Sequence, residues 1–254
     1  MGEPDSSRSE RLKGHVAIVT GGSSGIGLAT CKLLATEGAD IVVVGRNAKR
    51  IENLIEEIGH ENSECGVLGL TLDVRQERDM DQMSGEALAR FGRIDFLIAC
   101  AGIGKNPLST RLMPYSMAQL PTEEWDVVLG TNLTGIFLSN RSVLPTMIKQ
   151  RRGVIVNVSS CPGGLQGQPF ASVYCASKFG VIGLSEALAE EVSAHGVKVQ
   201  AILPDATDTP LLNGTTLSFR RGRPIPSMRV AEMILYMLLL PKDVVLRNPV
   251  IAPY

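Results

Sequence analysis

One of the four tyrosines in the chain is followed four residues later by a lysine, in Tyr174-Cys175-Ala176-Ser177-Lys178. Positions four apart on a helix share a face, so the phenol and the ammonium can address one ligand. A phenol titrates near 10, poorly matched to proton transfer at neutral pH. A nearby positive charge stabilises phenolate and lowers that value. The pair is therefore a candidate general acid and base, although a lone spacing of this kind is more often an exposed helix pair with no role. Just upstream, an apolar run ends at Ser159-Ser160. A hydroxyl there could hydrogen-bond a substrate oxygen, but serines also end strands for turn reasons alone.

A second candidate chemistry is anion binding. The run Thr20-Gly21-Gly22-Ser23-Ser24-Gly25-Ile26-Gly27 follows an apolar segment and opens a helical one. Glycines at such a turn let the backbone approach a pyrophosphate, and the helix that follows offers its first amides to the negative charge. The spacing is GxxxGxG, and a glycine-rich turn can also merely close a strand onto a helix. The second apolar run ends at Val44-Gly45-Arg46. Sites that prefer NAD usually place a carboxylate there for the ribose 2′-hydroxyl. With an arginine instead, a 2′-phosphate is favoured, since a guanidinium can clamp it with two bonds. The competing reading is a solvated arginine at the start of a charged helix.

The elements that must position these groups alternate along the chain. Apolar, β-type runs cover His15 to Thr20, Ile41 to Val44, Val67 to Leu72, Ile94 to Ala99, Val154 to Ser159 and Val197 to Leu203, with PVIAP at the end. Between them lie helical stretches at about Ile26 to Glu37 (Gly38 suits its C-cap), Asn47 to Gly59, Gln76 to Phe91, Thr122 to Gln150 and Val173 to Ala194. The Thr122–Gln150 helix is expected to bend near Gly130 or Pro145. A last helix precedes the terminal run. Near-continuous apolar strands alternating with helices predict one doubly wound parallel sheet of about seven strands, a Rossmann-type α/β domain with helices on both faces. In such a sheet the ligand lies beyond the carboxyl ends of the strands, where the candidate residues fall. The expected organisation is a disordered tail at 1–11 and a single domain at 12–254.

With 254 residues and 44% hydrophobic composition, the chain can bury a sizeable core. A formal charge of −1, from 25 basic and 26 acidic residues, leaves no footprint for nucleic acid or acidic membranes. Five cysteines (Cys31, Cys65, Cys100, Cys161, Cys175) show neither a disulfide framework nor a zinc spacing, which suggests a reducing compartment and no metal site. The polar start MGEPDSSRSER lacks an apolar leader, and Met233 to Leu240 is too short to span a bilayer. Gly2 and Ser6 formally fit a myristoylation pattern, better explained by a polar tail. A cytoplasmic protein without a membrane span is expected.

Together, these residues resemble the short-chain dehydrogenase/reductase family, in register from about Gly14 to Asp208. The TGxxxGxG turn, an asparagine in the long central helix, a serine after the fifth strand and YxxxK occur in the family's order. Each is weak, but the ordered set is specific. The resemblance implies that Tyr174 exchanges a proton with the substrate oxygen and that Lys178 bonds the nicotinamide ribose and depresses the Tyr174 pKa. Ser160 would polarise the substrate oxygen, and Asn132 would position a water in a proton relay. It further implies cofactor contacts at Gly21, Ser23, Ser24, Gly25, Ile26, Gly27, Arg46, Asp73, Val74, Cys100, Ala101, Gly102, Pro204, Thr207 and Thr209. NADP is the implied cofactor, with NAD less favoured, and a homodimer or homotetramer is the implied assembly. Three departures stand out. Cys100-Ala101-Gly102 replaces the family's asparagine-alanine-glycine, and Pro204-Asp205 its proline-glycine. Ser160 and Tyr174 are separated by thirteen residues, one more than the commonest family spacing, so Cys161 competes for the serine's place.

The substrate is read less sharply. A lid is expected over about 204–228, with Leu211, Leu212, Leu217 and Phe219, then Arg220, Arg221 and Arg223. An apolar lid with a basic flank suits a hydrophobic ketone bearing an anion, and a surface loop with solvated arginines accounts for the pattern equally well. The segment from Ile103 to Leu120, with Met113, Tyr115 and Met117, could form a second wall. The leading function is an NADP-dependent carbonyl reductase or secondary-alcohol dehydrogenase. The alternatives are an NAD-linked polyol or sugar dehydrogenase, and a non-catalytic nucleotide-binding sensor or scaffold.

Overall fold

The computed structural model describes residues 10–108, 114–212 and 223–254. Strand β1 (Val16–Thr20) is buried along its whole length and pairs in parallel with β2 (Asp40–Gly45) on one side and β4 (Phe96–Ala99) on the other. Strand β3 (Val67–Thr71) lies outside β2. Beyond β4 follow β5 (Gly153–Val158), β6 (Val197–Pro204) and β9 (Val250–Ile251), so the seven-stranded sheet has the order β3-β2-β1-β4-β5-β6-β9, parallel throughout. A separate two-residue ladder joins β7 (Thr207–Asp208) to β8 (Ile225–Pro226).

Period-two alternation decides which side chains face which layer. Ala17, Val19, Ile41, Val43, Val154 and Val156 pack under α1 (Gly25–Thr36), α2 (Ala48–Glu61) and α8 (Ser227–Leu239). Val16, Ile18, Val42, Val44, Leu97 and Ile155 pack under α3 (Glu77–Phe91), α5 (Gly135–Gln150) and α7 (Ser172–Val192). Both faces are apolar because both are covered, as the unbroken apolar runs required.

The chain runs outward from β1 to β3, then crosses back to β4 on the other side of β1. That reversal opens a crevice at the carboxyl ends of β1 and β4. The expected Thr122–Gln150 helix is divided: α4 (Thr122–Leu129) passes through a π turn at Gly130–Thr134 before α5 begins. Of the two places where a bend was expected, Gly130 opens the π turn and Pro145 lies within α5; the nature of the turn was not foreseen, since a widened turn leaves no period-3.6 signature. It also missed α6 (Cys161–Gly164), one turn with Pro162 near its start. At the amino-terminal ends of the central strands, buried Asp95 accepts from the Val16 amide (3.0 Å), from Arg93 (2.6 and 2.7 Å) and from Arg152 (2.8 Å), tying β1, β4 and β5 together.

Candidate active site

The glycine turn after β1 is built for close approach. Gly21 and Gly25 have positive φ (68° and 52°), and a Cβ on Gly21 would lie 2.9 Å from the Ala101 backbone. A side chain at Gly27 would run into the Gly21 carbonyl. The turn after β1 and the Cys100-Ala101-Gly102 turn after β4 therefore meet backbone to backbone. α1 begins there with no acidic residue in its first turn, leaving its leading amides suited to an anion. A cavity of about 450 Å³ extends from this turn past Tyr174 and Lys178 to Pro204, Thr207 and Thr209. Glycines that cannot carry a side chain, at a helix start that borders an open cavity, fit a dinucleotide pyrophosphate.

Tyr174 and Lys178 both lie on α7 and are 6% and 4% exposed. The Lys178 ammonium donates to the Val158 carbonyl at the end of β5 (2.8 Å) and sits 5.9 Å from the Tyr174 ring centre. Burial lowers Lys178 to about 8, with a small opposing pull from Cys100. Burial pushes Tyr174 up to about 12, and its hydrogen bond with Ser160 works in the opposite direction. The resemblance had Lys178 depress the Tyr174 titration; in this arrangement desolvation outweighs every favourable partner of the phenol.

The choice among Ser159, Ser160 and Cys161 is geometric. Ser159 turns away and donates to the Lys178 carbonyl (2.8 Å), pinning α7 to the end of β5. Ser160 bonds the Tyr174 phenol, and Cys161 opens α6. That short helix presses on the phenol, since a Cβ on Gly163 would lie 2.6 Å from Tyr174 Cε1.

Asn132, fully buried in the π turn, accepts from the Ile103 amide (2.8 Å) and donates to the Ile103 carbonyl (2.9 Å) and Ser177 Oγ (3.1 Å). Ser177 in turn donates to the Tyr174 carbonyl (2.7 Å). The amide of Asn132 thus clamps the loop after β4 to α7. Gly102 lies between them, its would-be Cβ 3.4 Å from Asn132 Oδ1 and 3.5 Å from Lys178 Nζ.

Ser23, Arg46, Asp73 and Val74 do not line this cavity. They lie near the carboxyl ends of β1, β2 and β3. Ser23 Oγ covers Gly45, at 2.8 Å from where its Cβ would stand, and Arg46 is exposed. Asp73 is held by Arg75 (2.6 Å), which keeps its carboxyl below the usual range, with a smaller pull from Arg46. Val74 packs against Gly135. Beyond β6, Thr207 donates to the Asp205 carbonyl (2.8 Å), and the Thr209 methyl would touch a Cβ on Gly25 at 3.0 Å. Asp205 Oδ1 accepts from the Ala206 amide (2.7 Å). Met113, Leu217, Phe219, Arg220 and Arg221 fall outside the described residues. Sequence reasoning missed Gly163, Ser177 and Arg50, which lines the cavity from α2; a proline one residue into α6 was the available sign of the first.

A model of the family described as short chain dehydrogenase matches residues 15–217. The chain belongs to that family. It is an NAD(P)-dependent oxidoreductase of ketoreductase type. It is 36% identical over 201 residues to a 3-oxoacyl-[acyl-carrier-protein] reductase of Thermotoga maritima, covering 79% of this chain and 77% of that one. A 3-ketoacyl-(acyl-carrier-protein) reductase from Brucella melitensis complexed with NADH superposes with TM-score 0.84, at 30% identity and covering 94% and 97% of the two chains. An actinorhodin polyketide ketoreductase with NADPH superposes with TM-score 0.82, at 30% identity and covering 95% and 96%. Among the described residues of this short-chain dehydrogenase, no helix is long and apolar enough to cross a membrane.

Proposed function

We propose that this short-chain dehydrogenase uses NADP to interconvert a carbonyl and a secondary alcohol on a small, largely apolar molecule. The observation that carries the reading is the buried Tyr174–Ser160 pair beside Lys178, at the inner end of a cavity that opens on the glycine turn. When bound, the nicotinamide supplies the hydride that adds to the carbonyl carbon. Tyr174, protonated at neutral pH, gives its Oη proton to the carbonyl oxygen. Ser160 holds that oxygen. Lys178 remains largely cationic below pH 8, faces the loop at Gly102 and holds the ribose hydroxyls. Asn132 fixes that loop. Ile103, Pro107, Pro162, Leu211 and Leu212 give the substrate end apolar walls.

The preference for NADP rests on Arg46. No carboxylate stands at the end of β2, and no described residue hydrogen-bonds or ion-pairs with its guanidinium. The two relatives above were seen with NADH and with NADPH, so kinship alone does not decide. Exposed Phe137 on α5 and Phe179 on α7 support pairing of these helices in a dimer or tetramer, which light scattering would detect. The reducing, cytoplasmic setting read from the cysteines belongs to the same proposal. The test is titration with NADPH and NADH by nicotinamide fluorescence, followed by turnover of a ketone panel. Tyr174→Phe should bind NADPH as the parent does and lose at least about 10²-fold in turnover. Full activity in that variant would remove Tyr174 from the mechanism, and equal affinity for the two cofactors would remove Arg46 from its role.

A further inference from the structure

The α2 helix carries a second cation that the proposed cofactor site has not used. Arg50 sits in the first turn of α2, where its backbone amide is capped by Asn47 Oδ1 (3.0 Å). Helical side chains tilt toward the helix N-terminus, and this N-terminus faces the crevice beyond the strand ends. Arg50 accordingly lines the cavity together with Gly21, Ser24 and Gly25, opposite Thr209 and Leu211. Its neighbour Lys49 has a carboxylate at Glu52 (3.5 Å), but three and four residues beyond Arg50 stand Asn53 and Leu54, which offer none. No described residue hydrogen-bonds or ion-pairs with the Arg50 guanidinium. Arg46, four residues earlier and just ahead of the helix, is also exposed, but it stands within electrostatic reach of the Asp73 carboxylate. The two diverge: Arg46 lies near Asp73 and outside the cavity, whereas Arg50 lies on the cavity wall.

We infer that Arg50 binds the pyrophosphate of the dinucleotide, as a charged latch over the glycine turn that does not distinguish NADP from NAD. This rests on the cofactor reading above and divides its electrostatics: Arg46 selects the 2′-phosphate, and Arg50 holds the bridge common to both cofactors. The probes are ADP-ribose, which has the pyrophosphate and no 2′-phosphate, and its 2′-phosphorylated analogue, with affinities measured by calorimetry. Arg50→Ala should weaken both by a similar factor of about ten, and the loss should shrink at high salt. Arg46→Ala should weaken the phosphorylated probe alone. Arg50→Lys should recover part of the affinity for both, since it keeps the charge and loses the fork. An Arg50→Ala variant that binds both probes like the parent, or that loses affinity only for the 2′-phosphorylated one, overturns the assignment. Failure of the parent to bind either probe would instead defeat the cofactor reading itself.

Discussion

Lys178 gives the sharpest test of how the site is built, because its cost can be read without substrate. Lys178 is 4% exposed and, among the described residues, its ammonium donates to the Val158 carbonyl. Burial takes it from an ordinary 10.5 to about 8, and at about 1.4 kcal/mol per pH unit this corresponds to roughly 3 kcal/mol. Between about pH 8 and 10.5 the unfolded chain holds a proton on this amine that the folded chain has released. The free energy of unfolding therefore rises with pH across that window, and the penalty is present in full below pH 8. Lys178→Met keeps the aliphatic length and removes the titration. It gives up one hydrogen bond, worth about 1 kcal/mol, so the variant should be more stable than its parent by about 2 kcal/mol at pH 7. That advantage should vanish near pH 10 and reverse above it, toward the roughly 1 kcal/mol of the lost hydrogen bond. Cys100, whose thiol burial pushes up to about 12, is electrostatically coupled to Lys178, so both proteins should carry Cys100→Ser. The measurement is urea denaturation of cofactor-free protein from pH 6.5 to 10.5 at one protein concentration. A stability difference that does not change with pH would refute the claim that a buried charge is held here.

Three further outcomes follow from the same geometry. Ser160→Ala removes the hydrogen bond that draws the Tyr174 titration down, so the ascending limb of the pH profile for alcohol oxidation, where the phenol must ionise to act as base, should move to higher pH; an unmoved limb would show that Ser160 does not act on the phenol. Gly163→Ala puts a methyl 2.6 Å from Tyr174 Cε1, and overpacking of about 1–3 kcal/mol must displace the ring or α6. Steady-state kinetics should show kcat falling about tenfold or more with cofactor affinity unchanged, and a kcat equal to the parent's would mean that α6 does not seat the phenol. Asp95→Ala leaves the Val16 amide and two guanidiniums without their shared carboxylate and should cost about 2–4 kcal/mol by denaturation. Because Asp95 lies at the amino-terminal end of β4, away from the crevice at the carboxyl ends, NADPH affinity should hold, and a large loss of it would contradict the separation of scaffold and site.

The sheet was legible because its strands are short, apolar and β-branched, and because the helices between them carry one buried stripe each. α2 shows the principle: Ile51, Leu54 and Ile58 are buried at helical spacing while the charges between them face solvent. That Tyr174 and Lys178 share a helix face was legible from their four-residue offset, whereas the chemistry expected of them came from the ordered set of motifs around them. What stayed hidden depends on tertiary approach. Pro162 marks the start of a helical turn but not that Gly163 lies under the phenol, because that constraint comes from Tyr174 on α7. Ser159 and Ser160 are identical in type, and only the strand's alternation sends one to the α7 backbone and the other to the phenol. The reach of Arg50 is a matter of helix orientation, which composition does not record.

The hydrogen bonds around the site also determine where specificity can reside. Lys178 is held at both ends, its ammonium on the Val158 carbonyl and its own carbonyl by Ser159. Tyr174 is tied through Ser177 to Asn132, and Asn132 to both backbone groups of Ile103. The π turn is what brings Asn132 into that position: a widened turn frees backbone and re-aims a side chain, a device that recurs at functional sites. Groups fixed in this way are already oriented before reaction, which is how a buried acid lowers a barrier rather than merely binding. They are also poorly able to adapt to different substrates. Adaptation must fall to the segments at 104–108 and 205–212, which contribute Pro107, Leu211 and Leu212 to the cavity and lie beyond the bonds that fix Tyr174, Lys178 and Asn132. Substitutions there should change which ketone is reduced while leaving the pH dependence set by Tyr174 and Ser160 in place. A change at Leu211 that moved the pH profile as well would mean that the frame and the substrate wall are coupled.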